Sequence, residues 1–379
     1  MSAIHPADSQ ILRIDGSYGE GGGQILRTAL SLSVALGRGI RLENIRARRP
    51  KPGLRPQHLI SVRAAAQISG ALVEGDRVGS GRLVFMPRHR PTGGAYTFDV
   101  GSTEAGGSAG AVSLVFQTIF LPLSLSDTPS DLTLVGGTHV AWSPPFHYLT
   151  HVFLPAVADL GLRADLQLEQ WGWYPRGGGI ARARISPRQP SSAARFGWSK
   201  GEFGRGNPVR VWGISAASSL PEHVIERQKS QAEETLRKAG LRAEIEEITA
   251  TAAGIGTIVF LVAEYKNGIA GFASYGALRK PAEKVADEAA RGLVKFHASK
   301  ACVDSHLADQ LLLPIVMCNA EASFTTPEIT EHLRTNAWVI EQFLGPRVDI
   351  ETHDRGALVT VRGIDSPQRP QSSRRGQGD

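Results

Sequence analysis

Two stretches of the chain share a layout in which a glycine-rich turn is followed by apolar residues at helical spacing. From Gly16 to Gly37 the turn leads into Leu26, Ala29, Leu30 and Leu36. From Gly101 to Pro122, Gly101-Ser102 and Gly106-Gly107 lead into Val112, Val115, Phe116 and Ile119. Such spacing places each set on one side of a helix. A second helix is predicted after each, opened by a proline near its first turn, where a missing N–H costs nothing, and closed by glycine. These run from Pro56 to Gly70 and from near Pro145 to Gly161, and a third runs from Pro327 to Gly345. His58, His147 and His332 each precede the closing glycine by about 13 positions, so the chain reads as three related units.

Short β-branched or alternating runs lie between the helices: Leu83–Met86, Tyr96–Val100, Leu132–Val135 and Ile180–Ile185. Val348–Glu351 and Ala357–Val361 flank Asp354-Arg355-Gly356, a hairpin-turn composition. Each unit is then two helices on one face of a small sheet, which gives an α/β fold in α+β layers. Residues 1–186 carry the first two units and 279–365 the third. The rhythm breaks from 187 to 278. Pro187, Pro190, Ser191 and Ser192 read as a linker. A strand (Val209–Ala216), a helix (Pro221–Ala239) and two strands (Ala243–Thr249, Thr257–Glu264) follow, a small βαββ inserted domain. The tail 366–379 is polar and reads as disordered.

Composition narrows the class. No segment approaches the run of about 18 apolar residues that a membrane span needs, and Met1–Gln10 lacks the layout of a signal peptide. Cys302 and Cys318 are too few for a disulfide framework or a zinc site, so a reducing cytoplasm is the expected location. The net charge of +6 favours anionic partners. The charge is concentrated: between Arg41 and Arg63 lie Arg46, Arg48, Arg49, Lys51, Arg55 and His58, against the single acid Glu43. Basic runs are often only solvated faces. Pro50, Pro52, Gly53 and Pro56 stiffen this one, which makes a phosphate site an equal reading.

The first glycine turn, Asp15-Gly16-Ser17-Tyr18-Gly19-Glu20-Gly21-Gly22-Gly23, opens a helix. Glycines there let backbone N–H groups approach an anion, and the helix dipole adds positive potential. No Gly-Lys-Ser/Thr follows, so this is not a Walker A loop. A tight strand-to-helix turn would explain the glycines alone. It would not explain Glu20 among them, a carboxylate placed to bridge a divalent metal to phosphate.

Glu20-Gly-Gly-Gly-Gln-Ile-Leu-Arg27, Lys51-Pro-Gly53 and Gln57-His58-Leu59 are followed by Gly136-Gly137-Thr138 with Pro144-Pro145, and by Tyr174-Pro175 with Gly177-Gly178-Gly179. Leu307-Ala308-Asp309-Gln310 and His332-Leu-Arg-Thr-Asn336 complete the series. In this order, from residue 14 to about 345, the sequence resembles the RNA 3′-terminal phosphate cyclases. The resemblance implies a catalytic domain of three repeated two-helix, four-stranded units interrupted by a small α/β insert. It implies ATP and a divalent metal (Mg or Mn) as cofactors, RNA 3′-phosphate ends as partner, a possible homodimer and no membrane. The implied reaction adenylylates a histidine, passes AMP to the RNA 3′-phosphate and closes a 2′,3′-cyclic phosphate. The matching histidine is His332, expected in the second turn of its helix with Asn336 one turn further on the same face.

By the same resemblance Gln117, Pro144, His306, Leu307, Ala308, Asp309 and Gln310 would hold the nucleotide, with His306 where a tyrosine is expected. Arg27, Arg46, Arg49, Gln57 and His58 would grip phosphates of RNA or ATP, Arg48 and Lys51 would add supporting charge, and Glu20 would hold the metal. A helix histidine is more often a satisfied structural group than a nucleophile, and Asp309-Gln310 could be an exposed helix face. Two rival readings stand beside the cyclase: a non-catalytic, cyclase-like ribosome-assembly factor, which would lack the histidine, and an enolpyruvyl-transferase-like enzyme on a related fold.

Overall fold

The computed structural model describes residues 11–101, 110–189, 205–353 and 356–366. The first unit runs β1 (Leu12–Asp15), α1 (Gly23–Leu36), β2 (Ile40–Glu43), α2 (Pro56–Ser69), β3 (Leu72–Glu74) and β4 (Leu83–Met86). Its sheet has the order β1-β2-β4-β3, with β1 and β2 parallel. The apolar side of α1 (Ile25, Leu26, Ala29, Leu30) is buried, and Gly37 ends the helix at φ 64°, a left-handed conformation that costs glycine little. Pro56 stands in the first turn of α2, as the sequence predicts.

The second unit repeats the order with β5 (Ala95–Asp99), α3 (Val112–Ser124), β6 (Ser130–Gly136), β7 (Arg163–Gln170) and β8 (Gly179–Ser186) in a β5-β6-β8-β7 sheet. The helix predicted between Pro145 and Gly161 is a mixed run. It comprises α4 (Phe146–Tyr148), a π turn (Leu149–Phe153), α5 (Leu154–Val157) and a 3₁₀ turn (Ala158–Leu160). Pro155 has no N–H for the carbonyl four residues back, and the hydrogen-bond pattern loosens just before it.

The inserted segment departs from the βαββ expectation. After β9 (Pro208–Ser218), α6 (His223–Lys238), β10 (Glu244–Thr249) and β11 (Gly256–Tyr265) comes a further strand, β12 (Gly268–Tyr275), in the order β10-β9-β11-β12. With Gly268 and Gly271 in it, β12 carries a weak strand signal. Helix α7 (Ala282–Ser299), assigned by sequence to the third unit, packs elsewhere. Its Val285, Ala286, Ala289, Ala290, Leu293 and Phe296 share a core with Val259, Leu261, Ala263 and Ala270 of the inserted sheet. Residue 278 therefore does not separate the two packing groups.

The third unit holds α8 (Ser305–Met317), β13 (Ala322–Thr326), α9 (Glu331–Leu344), β14 (Val348–His353) and β15 (Gly356–Val361). Its sheet, β13-β15-β14, has three strands where four were expected. The place of the fourth is taken by Cys302 and Val303, whose N–H groups both donate to the Thr325 carbonyl (3.0 and 3.2 Å), a contact too short to form a strand. Helix α9 begins four residues later than Pro327, at Glu331, and is capped by Thr330, whose hydroxyl accepts from the Leu333 N–H. His332 is thereby in the first turn, not the second.

Gly106-Gly107, the Pro190-Ser191-Ser192 linker, the Asp354-Arg355 turn tip, Met1–Gln10 and the tail after Ser366 lie outside the described residues. Among the described residues no helix is long and apolar enough to cross a membrane, and Cys302 and Cys318 are buried and not joined in a disulfide.

Candidate active site

The glycine turn is pinned at both ends before it reaches α1. The Asp15 carboxylate accepts from the Ser17 backbone and hydroxyl (3.0 and 2.9 Å), and the Gly16 N–H donates to the Glu43 carbonyl (2.7 Å). Tyr18 then stacks on Trp338 of α9, with ring centroids 4.0 Å apart and planes 9° from parallel. Gly19 and Gly21 follow at φ 54° and 58°, a backbone that lets the turn reverse over α9 and deliver Glu20 to the side chain of His332. The Glu20 Oε2 atom lies 3.2 Å from His332 Nε2 and accepts from Arg49 Nη2 at 2.9 Å.

Helix α1 starts at Gly22 with no side-chain cap, so its first N–H groups face the same space. Gly23 has to lack a side chain. A Cβ there would come within 2.5 Å of His58 Nε2 and 2.8 Å of Arg27 Nη1. The Nε–H groups of Arg46 and Arg49 are buried and have no acceptor among the described residues, donors left for a ligand. Uncapped amides, stacked cations and orphaned donors around one carboxylate make a site for anionic oxygen, and the crowding has an electrostatic cost. Burial, then Arg49 and Arg55, lower the proton affinity of Arg46. Burial pulls Arg27 down to about 10, which still leaves it charged at neutral pH.

His332 is half-exposed. Desolvation holds its pKa below the usual histidine value, opposed by the Glu20 carboxylate and aided by Arg27 and by His306, the exposed second residue of α8. The ring is therefore neutral at pH 7, with a lone pair to offer. His58 differs. It is 2% exposed, its Nδ1 accepts from the Arg55 N–H at 3.0 Å to cap α2, and burial with Arg27 beside it pushes it down to about 3. It can offer a phosphate only one neutral N–H, so any phosphate contact it makes would be through a neutral donor.

On the expected nucleotide side, Gln117 of α3 donates to Gln310 of α8 at 2.7 Å. Asp309 is 5% exposed, not part of an exposed face, and burial with Asp304 nearby raises it to about 8 despite Arg27. Leu307 and Ala308 are wholly buried in the core, so neither offers an accessible surface to a ligand. Gln57 and Pro144, both half-buried, share no hydrogen bond or ion pair with the His332 group among the described residues.

The sequence left three binding partners without a role. Asn336, one turn after His332, accepts at Oδ1 from Gln24 (3.0 Å) and Thr28 (2.6 Å) of α1, and donates to Asp309 of α8. Gln24 and Thr28 are four apart on α1, a spacing that puts two polar groups on an otherwise apolar side and was the available signal.

Among the described residues no three His, Cys, Asp or Glu side chains are placed to hold a metal ion. A single half-exposed carboxylate, Glu20, suits a hydrated divalent ion that takes its other ligands from substrate phosphates.

A layered α/β protein with arginines, a carboxylate and a neutral imidazole around an uncapped helix start belongs to the class built to handle phosphate esters. Residues 18–350 match the family model described as RNA 3′-terminal phosphate cyclase, and the chain belongs to that family. It is 47% identical over 354 residues to the RNA 3′-terminal phosphate cyclase of Methylococcus capsulatus, covering 93% of this chain and 97% of that one. The protein of the same name from Archaeoglobus fulgidus is 42% identical over 90% of this chain and 98% of its own. That from Pyrobaculum aerophilum is 41% identical over 92% and 97%.

Proposed function

We propose that the protein uses ATP to convert an RNA 3′-terminal phosphate into a 2′,3′-cyclic phosphodiester, through AMP carried on His332. The observation that carries this reading is the neutral, half-exposed His332 ring beside Glu20, under the arginines and at the uncapped start of α1. The cyclase names of its relatives at 41–47% identity supply the substrate class.

A phosphate monoester cannot readily expel hydroxide, so its oxygen must first gain a better leaving group. The imidazole nitrogen attacks the α-phosphorus of ATP; a P–N bond forms and diphosphate leaves. An oxygen of the RNA 3′-phosphate then attacks that phosphorus, the P–N bond breaks, and the RNA end carries AMP. Last, the adjacent 2′-hydroxyl attacks the 3′-phosphorus, loses its proton and expels AMP. Ring closure is intramolecular, where effective molarities of about 10⁵–10⁸ M are available to a well-held group.

Arg27, Arg46 and Arg49 with the α1 amides would spread the charge gathered on the phosphates. Asp309, Gln310, Gln117, Pro144 and His306 would frame the nucleoside. A divalent ion on Glu20 would supply Lewis-acid polarisation of a phosphoryl oxygen.

The test is incubation with α-labelled ATP and a divalent cation. Label should be trapped on the protein in a bond that is labile to acid and stable to alkali, as a phosphoramidate is, and it should map to His332. Label on another residue, or none at all, would overturn the reading. The absence of any label would leave the assembly-factor or transferase alternatives.

A further inference from the structure

Asn336 is 4% exposed, and its carboxamide makes four hydrogen bonds to two other helices. Gln24 Nε2 (3.0 Å) and Thr28 Oγ1 (2.6 Å) of α1 donate to Oδ1, and Nδ2 donates to the Asp309 carbonyl (3.1 Å) and Oδ2 (3.0 Å) of α8. Two acceptor sites and two N–H groups are the whole capacity of an amide, and all are used. The orientation is also fixed. Flipped, the NH₂ would face the donor of Gln24 and the oxygen would face two oxygens of Asp309. The chain continues outward, since Gln24 Oε1 accepts from Arg27 Nη2 at 2.7 Å. Arg27 at the phosphate end and Asp309 at the nucleoside end are therefore joined through Gln24 and Asn336, with His332 one helical turn away on the same element.

A helix junction needs no such device to be stable, because well-packed apolar side chains in place of a buried polar network often cost nothing. The network joins the three helices that carry the proposed nucleophile, the uncapped anion-binding start and the buried carboxyl. We propose that Asn336 is a positioning residue for adenylyl transfer, holding His332, the N-terminus of α1 and Asp309 in one frame. This rests on the His332 reading, and the labelling assay tells the two apart. If the wild-type enzyme takes no label from ATP, both fail. If it takes label, the Asn336 variants decide the second alone.

With wild-type labelling established, Asn336→Ala should lower the single-turnover adenylylation rate at saturating ATP on the order of 100-fold, the cost of a small misplacement of reacting groups. The half-saturating ATP concentration should stay within a few-fold. A purely structural role would lower the melting temperature and leave the rate of the folded enzyme alone. Asn336→Asp supplies a second measurement that survives a misfolded alanine variant. It keeps Oδ1 for Gln24 and Thr28 but sets a carboxylate against that of Asp309, and two such groups share one proton as pH falls.

The charged groups facing the pair are Arg27 on α1, Glu20 in the glycine turn, Asp304 at the start of α8, and His332 itself. Rates are therefore compared with wild type at each pH. Asp309 already keeps its proton up to about pH 8, and a second carboxylate raises the pair further. Relative to wild type, Asn336→Asp should therefore be weakest at alkaline pH and recover as pH falls to neutrality, where one shared proton restores a donor between the carboxyls. Three results would each overturn the proposal: a saturating rate within a few-fold of wild type, a loss confined to ATP affinity, or no recovery of Asn336→Asp on acidification.

Discussion

His332 and His147 hold matching places, each near the start of the second helix of its unit, and their surroundings have nothing in common. His332 meets a carboxylate and is reached by solvent. His147 is packed where the second unit meets the inserted sheet. Its Nδ1 lies 2.8 Å from His139 Nε2, its ring is 5.0 Å from Trp171 and 6.1 Å from Phe260, and His151 stacks on its other side. Burial, then His151, drives His147 down to about 3. The same residue type at the same point of a repeat is a nucleophile candidate in one case and a partly buried packing residue in the other. What separates them is the degree of burial and a nearby pair of opposite charges, neither of which a repeat pattern encodes.

The sharpest way to break this contrast is to exchange the two losses. His332→Ala should abolish the trapped label and cyclisation while leaving the fold intact, since alanine suits a helix. His147→Gln should keep labelling within a few-fold of wild type. A His147→Gln enzyme that folds and takes no label would show that the pattern, not the surroundings, marks the chemistry.

A smaller effect is expected at Glu20, the feature His147 lacks. Glu20→Ala should slow adenylylation at limiting divalent metal, with partial recovery as metal is raised. It should also lower the His332 pKa, seen by NMR titration, because the carboxylate favours the protonated ring. An unchanged rate at limiting metal together with an unmoved titration would make Glu20 a loop residue only.

His58 and His147, whose pKa burial lowers, have their own signature. His58 and His147 titrate near 3 when folded and near 6.5 in an unfolded chain. The unfolded state therefore binds protons first. The stability from these groups is whole above about pH 6.5 and is lost as pH falls toward 3. In His147→Gln the acid slope of stability should flatten by nearly one proton between about pH 6 and 4, with an upper bound of about 5 kcal/mol that water entry lowers. His139, His151 and Glu264, which faces His151 from β11, lie in the same neighbourhood, so the variant is compared with wild type at each pH. An unchanged acid slope would mean that His147 is hydrated.

The glycine turn, its helix and the strands near Leu83–Met86, Tyr96–Val100, Leu132–Val135 and Ile180–Ile185 were legible because period and punctuation are local. What was not legible depends on partners far along the chain. Helix α7 shows an apolar side, but nothing local says which sheet it covers. Residues 301–303 are too short to register as a strand. Thr326-Pro327 looks like a helix start, yet Thr330 supplies the cap, so His332 moved by a turn. In the site, Glu20, Arg27, Arg49 and His332 were singled out by type and motif, and the structure brings Glu20, Arg49 and His332 into direct contact. The capping role of His58 and the Asn336 network needed three dimensions.

The smallest effect expected concerns Arg49, which belongs to both the basic loop and the contrast drawn above, since its partner is Glu20. Both side chains are more than a third exposed (39% and 36%), and such pairs are worth about 0–1 kcal/mol. Arg49 can thus exchange Glu20 for an RNA phosphate at little cost, and its orphaned Nε–H stands ready for a second oxygen. If it does, RNA affinity should fall with salt at about −0.7 per contacted phosphate of a single strand, and Arg49→Ala should flatten that slope by nearly one contact whatever the sequence. Self-adenylylation without RNA should change less, because Glu20 keeps its contact with His332. The measurement is a salt titration of RNA binding alongside α-labelled ATP uptake. An Arg49→Ala enzyme that keeps the wild-type salt slope but loses self-adenylylation would move Arg49 to the triphosphate, and the Glu20–Arg49 pair would then belong to the chemistry of His332 alone.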